Sequence, residues 1–196
     1  MWRTRGDCLN NMKVLFLIFA LLLTLSCSKT NPEQTVPTIQ TTSLAPEAAT
    51  AINQAINVVT TTGLAKDWTT LGLYLQAHGL HEEAISVYQS SIQLPNTPTK
   101  TKYYLAVALA KLGRYQDAID ACSSYTSYPP AFWRRGYWLI DLGRLHEATS
   151  MFDQAIALDN RAVAAMVGLA RTHLQQNQPL LAITILEGIQ AKGGSH

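Results

Sequence analysis

A short signature that recurs along the chain limits its folding choices more than any other feature. Gly79, Gly113 and Gly143 each close a helix-like stretch, reading Ala-His-Gly, Lys-Leu-Gly and Asp-Leu-Gly. Five residues after each comes an alanine, Ala84, Ala118 and Ala148, and four residues further on sit Tyr88, Cys122 and Phe152. The glycines are 34 and 30 residues apart, and a fourth copy follows after another 34 with Asn177 in the glycine place and Ala182 and Leu186 at the same steps. Asparagine is the other residue that tolerates a left-handed helix end. A unit of this size cannot cover its own apolar face, so successive copies must stack on one another.

The repeated positions have simple physical roles. Small residues at Gly72, Ala106, Gly136 and Ala170 let the first helix of a pair approach the second, and Ala84, Ala118, Ala148 and Ala182 do the same from the other side. Tyr88, Phe152 and Leu186 fill the gap to the next pair, each burial contributing about 1.5–3 kcal/mol. Cys122 in that series reads as a small core hydrophobe with no partner cysteine. Upstream, 46–63 carries Ala48, Ile52, Ala55 and Ile56 at the spacing of a second helix, which predicts a capping helix.

A 34-residue period with Trp68, Leu71, Gly72, Gly79, Ala84, Tyr88 and Pro95 in the first copy, and Gly136, Leu139, Gly143, Ala148, Phe152 and Ala155 in the third, resembles the tetratricopeptide repeat. The resemblance runs from about Ala65 to Ile189. It departs at Lys102, where the pattern has a Trp-type residue, at Cys122 in an aromatic slot, and in the shortening between copies two and three, which predicts a tighter connection around Tyr128-Pro129-Pro130. The fold implied is all-α: a right-handed superhelical solenoid of about four helix-turn-helix repeats over 64–192 behind the cap.

By resemblance, the first helices line a concave groove that holds a protein or peptide partner. The groove positions are Lys66, Thr69, Leu73 and Gln76, then Lys100, Tyr103, Val107 and Lys111, then Trp133, Tyr137, Ile140 and Asp141, and finally Ala164, Val167, Arg171 and Gln175. Leu73, Tyr103, Val107, Lys111, Trp133, Tyr137, Ile140 and Arg171 are the expected binding residues, aromatic anchors with a basic margin. Trp133 and Tyr137 have a competing reading as core between helix pairs. The Lys/Asn/Arg clamp by which some family members hold chaperone carboxylates is absent, since its key places hold Thr69 and Leu73.

The N-terminus reads as an address. After Lys13, an apolar run from Val14 to Leu25 leads to Ser26 and Cys27, the pattern of a secretory signal over 1–26. Residues 1–11 add little to it, and an alternative start at Met12 leaves Cys8 out of the natural product. Thr24-Leu25-Ser26-Cys27 resembles a bacterial lipoprotein cleavage site, with Thr24 where that family prefers Leu. The resemblance implies acylation of Cys27, whose several chains would anchor the protein stably, and Ser28 leans towards the outer membrane facing the periplasm. Residues 27–45, rich in Thr, Gln, Ser and Pro, are expected to be a flexible tether.

Beyond Cys27 the chain carries 12 basic and 12 acidic side chains, which argues against nucleic-acid binding. The five histidines are scattered, with no metal-ligand spacing. No phosphate loop, nucleophile elbow or Ser-His-Asp grouping is present. No metal, cofactor or catalysis is expected. The expected role is a scaffold in envelope assembly, serving pilus or secretin, outer-membrane protein or peptidoglycan machinery; the alternative is the partner-binding N-terminal fragment of a larger lipoprotein. The C-terminal end lacks a polar helix over Ile183, Leu186 and Ile189, which is expected of a truncated product, of a larger natural protein, or of a chain that self-associates through that end.

Overall fold

A computed structural model describes residues 35–42 and 44–193. The expected signal peptide, Cys27 and the first part of the tether lie outside the described residues. The helices are α1 (Pro46–Thr62), α2 (Ala65–Ala77), α3 (His81–Gln93), α4 (Thr101–Lys111), α5 (Tyr115–Ala121), α6 (Pro129–Asp141), α7 (Leu145–Leu158), α8 (Val163–Gln175) and α9 (Pro179–Gly193). Among the described residues there is no strand. The last eight helices form four hairpins stacked into a right-handed solenoid, and α1 covers its first end.

The turn inside each hairpin is built the same way four times. The amides of Leu80, Arg114, Arg144 and Gln178 reach back to the carbonyls of Leu75, Leu109, Leu139 and His173 at 2.8–3.0 Å, closing the helix end while the residue before each amide turns left-handed. Those residues are Gly79, Gly113, Gly143 and Asn177, with φ of 78°, 74°, 72° and 59°. The sequence signature is therefore a helix-stop code.

α1 starts at a proline and ends at Gly63, whose amide bonds to Val59. It buries Ala48, Ile52, Ala55 and Val59, while its outer side shows water Glu47, Thr50, Asn53, Gln54 and Asn57. That is a solvating cap.

Within the stack, the first three second helices each insert one side chain against the first helix of their own hairpin. A Cβ added at Gly72 would meet the Tyr88 ring, with Cδ1 at 2.7 Å, and one at Gly136 would lie 2.6 Å from two carbons of the Phe152 ring. A Cβ at Gly168, on the following hairpin, would also collide with Phe152. In the second hairpin the small residue is Ala106 and the residue at the ring's place shrinks to the fully buried Cys122, whereas in the fourth Ala170 is buried but Leu186, expected to fill the same place, is 44% exposed. In the first three hairpins glycine is thus matched with an aromatic ring and alanine with a smaller plug, as close packing requires.

Three features differ from expectation. The shortening between copies two and three falls on the helix, not on the connection: α5 has 7 residues where α3 has 13 and α7 has 14. The segment 122–128 is held by Tyr125, whose hydroxyl donates to the Thr99 carbonyl and accepts from the Tyr103 amide, satisfying one orphan donor of α4 that no side chain of the α4 cap reaches. The tether ends earlier than residue 45, because Val36, Ile39 and Leu44 pack against the core; apolar side chains at that density gain more from burial than from free motion. Thr69, expected in the groove, is buried, its hydroxyl 2.9 Å from that of Ser91 and 2.8 Å from that of Thr101. This hydroxyl trio ties α2, α3 and α4 together.

Candidate functional site

The first helices α2, α4, α6 and α8 line the concave side. Between α4 and α6 lies a cavity of about 390 Å³ bounded by Val107, Ala110, Lys111, Tyr115, Arg134, Tyr137, Trp138 and Asp141. It is lined by the last turns of α4, the first residue of α5 and the aromatic side of α6.

The organising residue is Arg134. Its Nε donates to the Tyr103 hydroxyl at 2.7 Å, and its guanidinium sits 4.8 Å from the centre of the Trp133 ring and 5.7 Å from that of Tyr103. A guanidinium held by one hydrogen bond and two ring faces keeps its terminal N–H groups directed and loses little entropy when it binds an anion. Space for it comes from Cys122. Phe152 faces Gly168 on the next first helix, Tyr88 lies 6.2 Å from Tyr104 at the matching place, and the small Cys122 leaves that place to Arg134. The departure from the aromatic pattern thus admits a cation to the groove. Burial pushes the Cys122 thiol up to about 12, with the charges of Arg135 and Arg134 opposing.

Tyr103 is buried, edge-on to Tyr104, Tyr125 and Tyr128 at 5.2–6.5 Å. Burial raises its phenol, while Arg134 pulls the other way by stabilising the phenolate. Tyr137 crosses from α6 to α8: its hydroxyl donates to the Ala164 carbonyl at 3.0 Å and its ring meets Phe152 edge-on at 5.2 Å. Burial raises this phenol too, and the positive charge of Arg171 lowers it. Lys100 extends the positive margin, its Nζ 5.3 Å above Tyr128.

Of the expected groove residues, Lys111, Val107 and Tyr137 line the cavity, with Trp133 half-exposed beside it under Arg134. Leu73 and Arg171 are exposed on α2 and α8. Tyr103 and Ile140 belong to the core instead. α6 is packed by neighbours on both sides, so its apolar stripe widens to take in Trp138, Leu139 and Ile140, and Tyr103 is enclosed by the folded-back 122–128 segment. Position counting overlooked Arg134, Trp138, Ala110 and Tyr115; the small residue at Cys122 was the available signal for Arg134. Among the described residues there is no group of three or more His, Cys, Asp or Glu able to hold a metal ion, and no helix long and apolar enough to cross a membrane.

The repeated hairpins and their lined concave face define a superhelical repeat scaffold for protein–protein interaction. The tetratricopeptide repeat family matches over residues 69–132 and again over 139–195, and the chain belongs to it. It is similar to the heat shock protein STI1 of Saccharomyces cerevisiae, 28% identical over 116 residues, 54% of this chain and 20% of that one; the chain thus spans about a fifth of that relative. Among solved structures, MamA matches with a TM-score of 0.69 and 19% identity, over 75% of this chain and 89% of that one. MamA of Desulfovibrio magneticus RS-1, from its residue 41 on, matches with a TM-score of 0.69 and 13% identity over 77% and 89%. YrrB, a tetratricopeptide protein with an unusual peptide-binding site, matches with a TM-score of 0.64 and 17% identity over 76% and 80%. These structural likenesses define the fold.

Proposed function

We propose that the chain is a lipid-anchored scaffold of the bacterial cell envelope, moored through Cys27 and holding an acidic segment of a partner protein in the groove between α4 and α6. The carrying observation is the fixed Arg134 guanidinium over Trp133 and Tyr103. Lys111 and Arg134 face a single acid, Asp141, across the cavity, so a carboxylate would be attracted and a basic segment repelled. Val107, Tyr137 and Trp138 supply apolar contact for the residue beside it. The reading assigns the chain no catalysis. It also has the chain associating with itself through its uncovered C-terminal end, and its work is assembly of an envelope machine such as a pilus, a secretin or the peptidoglycan apparatus.

The test uses an array of acidic decapeptides with hydrophobic neighbours, each paired with a version carrying Gln for every acid. Binders should prefer the acid over the amide, and Arg134→Ala should weaken them at least tenfold, a charge-assisted pair being worth roughly 1.5–3 kcal/mol, with circular dichroism unchanged. Equal binding by the amide peptides, or by the Arg134→Ala protein, would refute the groove assignment. For the anchor, incorporation of labelled palmitate should vanish in Cys27→Ser; label persisting there would refute it.

A further inference from the structure

α9 breaks a rule that the other second helices keep. At two neighbouring positions of the first turn, exposed in all the hairpins except at the half-buried Glu83, α3 carries Glu82-Glu83, α5 carries Gln116-Asp117 and α7 carries His146-Glu147, whereas α9 carries Leu180-Leu181. Leu180 is 78% exposed and Leu181 50%, and α9 has no acid in its first turn. Ile183 and Leu186 are exposed as well, although the residues at their places in the first hairpin, Ile85 and Tyr88, are buried. Ile183 and Leu186 stand at places that the following hairpin covers in the earlier copies. Leu180 and Leu181 do not; they lie where the array faces water. A helix apolar on nearly every side is stable only when covered.

Resting on the self-association reading, we infer that the cover is α9 of a second copy, packed antiparallel about a two-fold axis near Thr184. The shape of the helix selects this partner. On one stripe of the helix the large Leu180 and Leu181 stand at the N-terminal end and the small Gly188 and Ala191 at the C-terminal end, with Thr184 between. A Cβ at Gly188 would meet nothing within 4 Å, so no part of the chain fills the space beside it. Antiparallel pairing sets the leucines of each copy against the small residues of the other, whereas parallel pairing sets large on large. Thr184 is suited to the axis, since its hydroxyl already donates to the Leu180 carbonyl at 3.0 Å and goes into an interface without an unmet hydrogen bond. Such a contact is isologous and closes at two copies.

Two other occupants fit less well. Head-to-tail stacking would set α9 against α1, whose outer side is Glu, Thr, Asn and Gln. A lipid surface favours a helix with a basic polar face, and between Pro179 and Ala191 α9 has no Lys or Arg, its one charge being Glu187.

The experiment compares the full chain, solubilised in mild detergent, with Leu180→Glu/Leu181→Glu, which restores the polar pair of the other repeats and so leaves the hairpin intact. Sedimentation should show a dimer for the parent and dimerisation weakened more than about a hundredfold for the variant, four leucines being withdrawn from the contact. Thr184→Cys should form an oxidant-dependent covalent dimer in native membranes, absent from the parent and lost when combined with the double substitution. A monomeric parent overturns both the pairing and the self-association reading. A dimer indifferent to the double substitution keeps self-association and overturns this surface, and a sensitive dimer that Thr184→Cys fails to cross-link overturns the antiparallel register. Transfer of monomers to phosphatidylglycerol vesicles, dependent on the two leucines, would assign the patch to lipid and overturn the pairing.

Discussion

Replacing Gly168 with alanine tests the packing logic of the array most directly. The added Cβ would overlap the Phe152 ring, and that ring has no retreat, because a Gly136 Cβ position lies only 2.6 Å from the same two ring carbons on the other side. Overpacking a filled core costs about 1–3 kcal/mol, and a ring trapped between two helices belongs near the top of that range. Alanine returns about 1 kcal/mol through its better helix propensity, leaving a net loss of about 2 kcal/mol. With a urea dependence of about 2 kcal/mol per molar, the midpoint should fall by about 1 M. Phe152→Leu alone should cost about 1–2 kcal/mol through the space it leaves. Combined, the two should cost no more than Phe152→Leu by itself, since the smaller leucine vacates the space that the added methyl would enter. The coupling, about 2 kcal/mol, is within the range for contacting pairs, and urea unfolding followed by circular dichroism measures it. A Gly168→Ala protein as stable as the parent, or a strictly additive double variant, would refute the socket-and-plug reasoning.

Thr69→Val removes the hub of the buried hydroxyl trio and leaves Thr101 without the side-chain partner it now has, costing about 1–3 kcal/mol in thermal unfolding; Thr69→Val/Thr101→Val should be less damaging than Thr69→Val alone, because the stranded hydroxyl goes with it. Cys122, in a background with Cys8 and Cys27 changed to serine, should resist thiol reagents at pH 8, its pKa being pushed up to about 12 by burial and only the thiolate reacting. Labelling that is as fast in the folded chain as in denaturant would contradict the burial of this residue.

The fold was legible because the residues that define it act locally. Gly79, Gly113, Gly143 and Asn177 stop helices by backbone geometry alone, and the alanine and the bulky plug follow at fixed steps, so period, hairpin count and capping helix could be read without knowing any long-range contact. The site was legible only in part. Val107, Lys111, Trp133 and Tyr137 are at or beside the cavity as their repeat positions imply. Ile140 and Tyr103 are not, because whether a side chain on a first helix reaches the groove depends on the two neighbouring helices, and that is a tertiary property. Arg134 was hidden for the same reason: its place is set by what Cys122 fails to fill, a relation between two hairpins. Likewise the missing residues between copies two and three could be counted in sequence, but only the Tyr125 hydroxyl, bonded to the start of α4, shows why the helix gave them up and the connection did not.

Phe152 is seated by glycines from two successive hairpins, and this bears on how such a gene lengthens or shortens. A duplication that copies the third hairpin alone would set Phe152 against a newly inherited Arg134 instead of Gly168, jamming a guanidinium into a ring's berth. Lineages carrying this array should therefore gain and lose coding segments whose joints preserve plug and berth together, and the boundaries of viable recombinants would fall inside the hairpins, not between them.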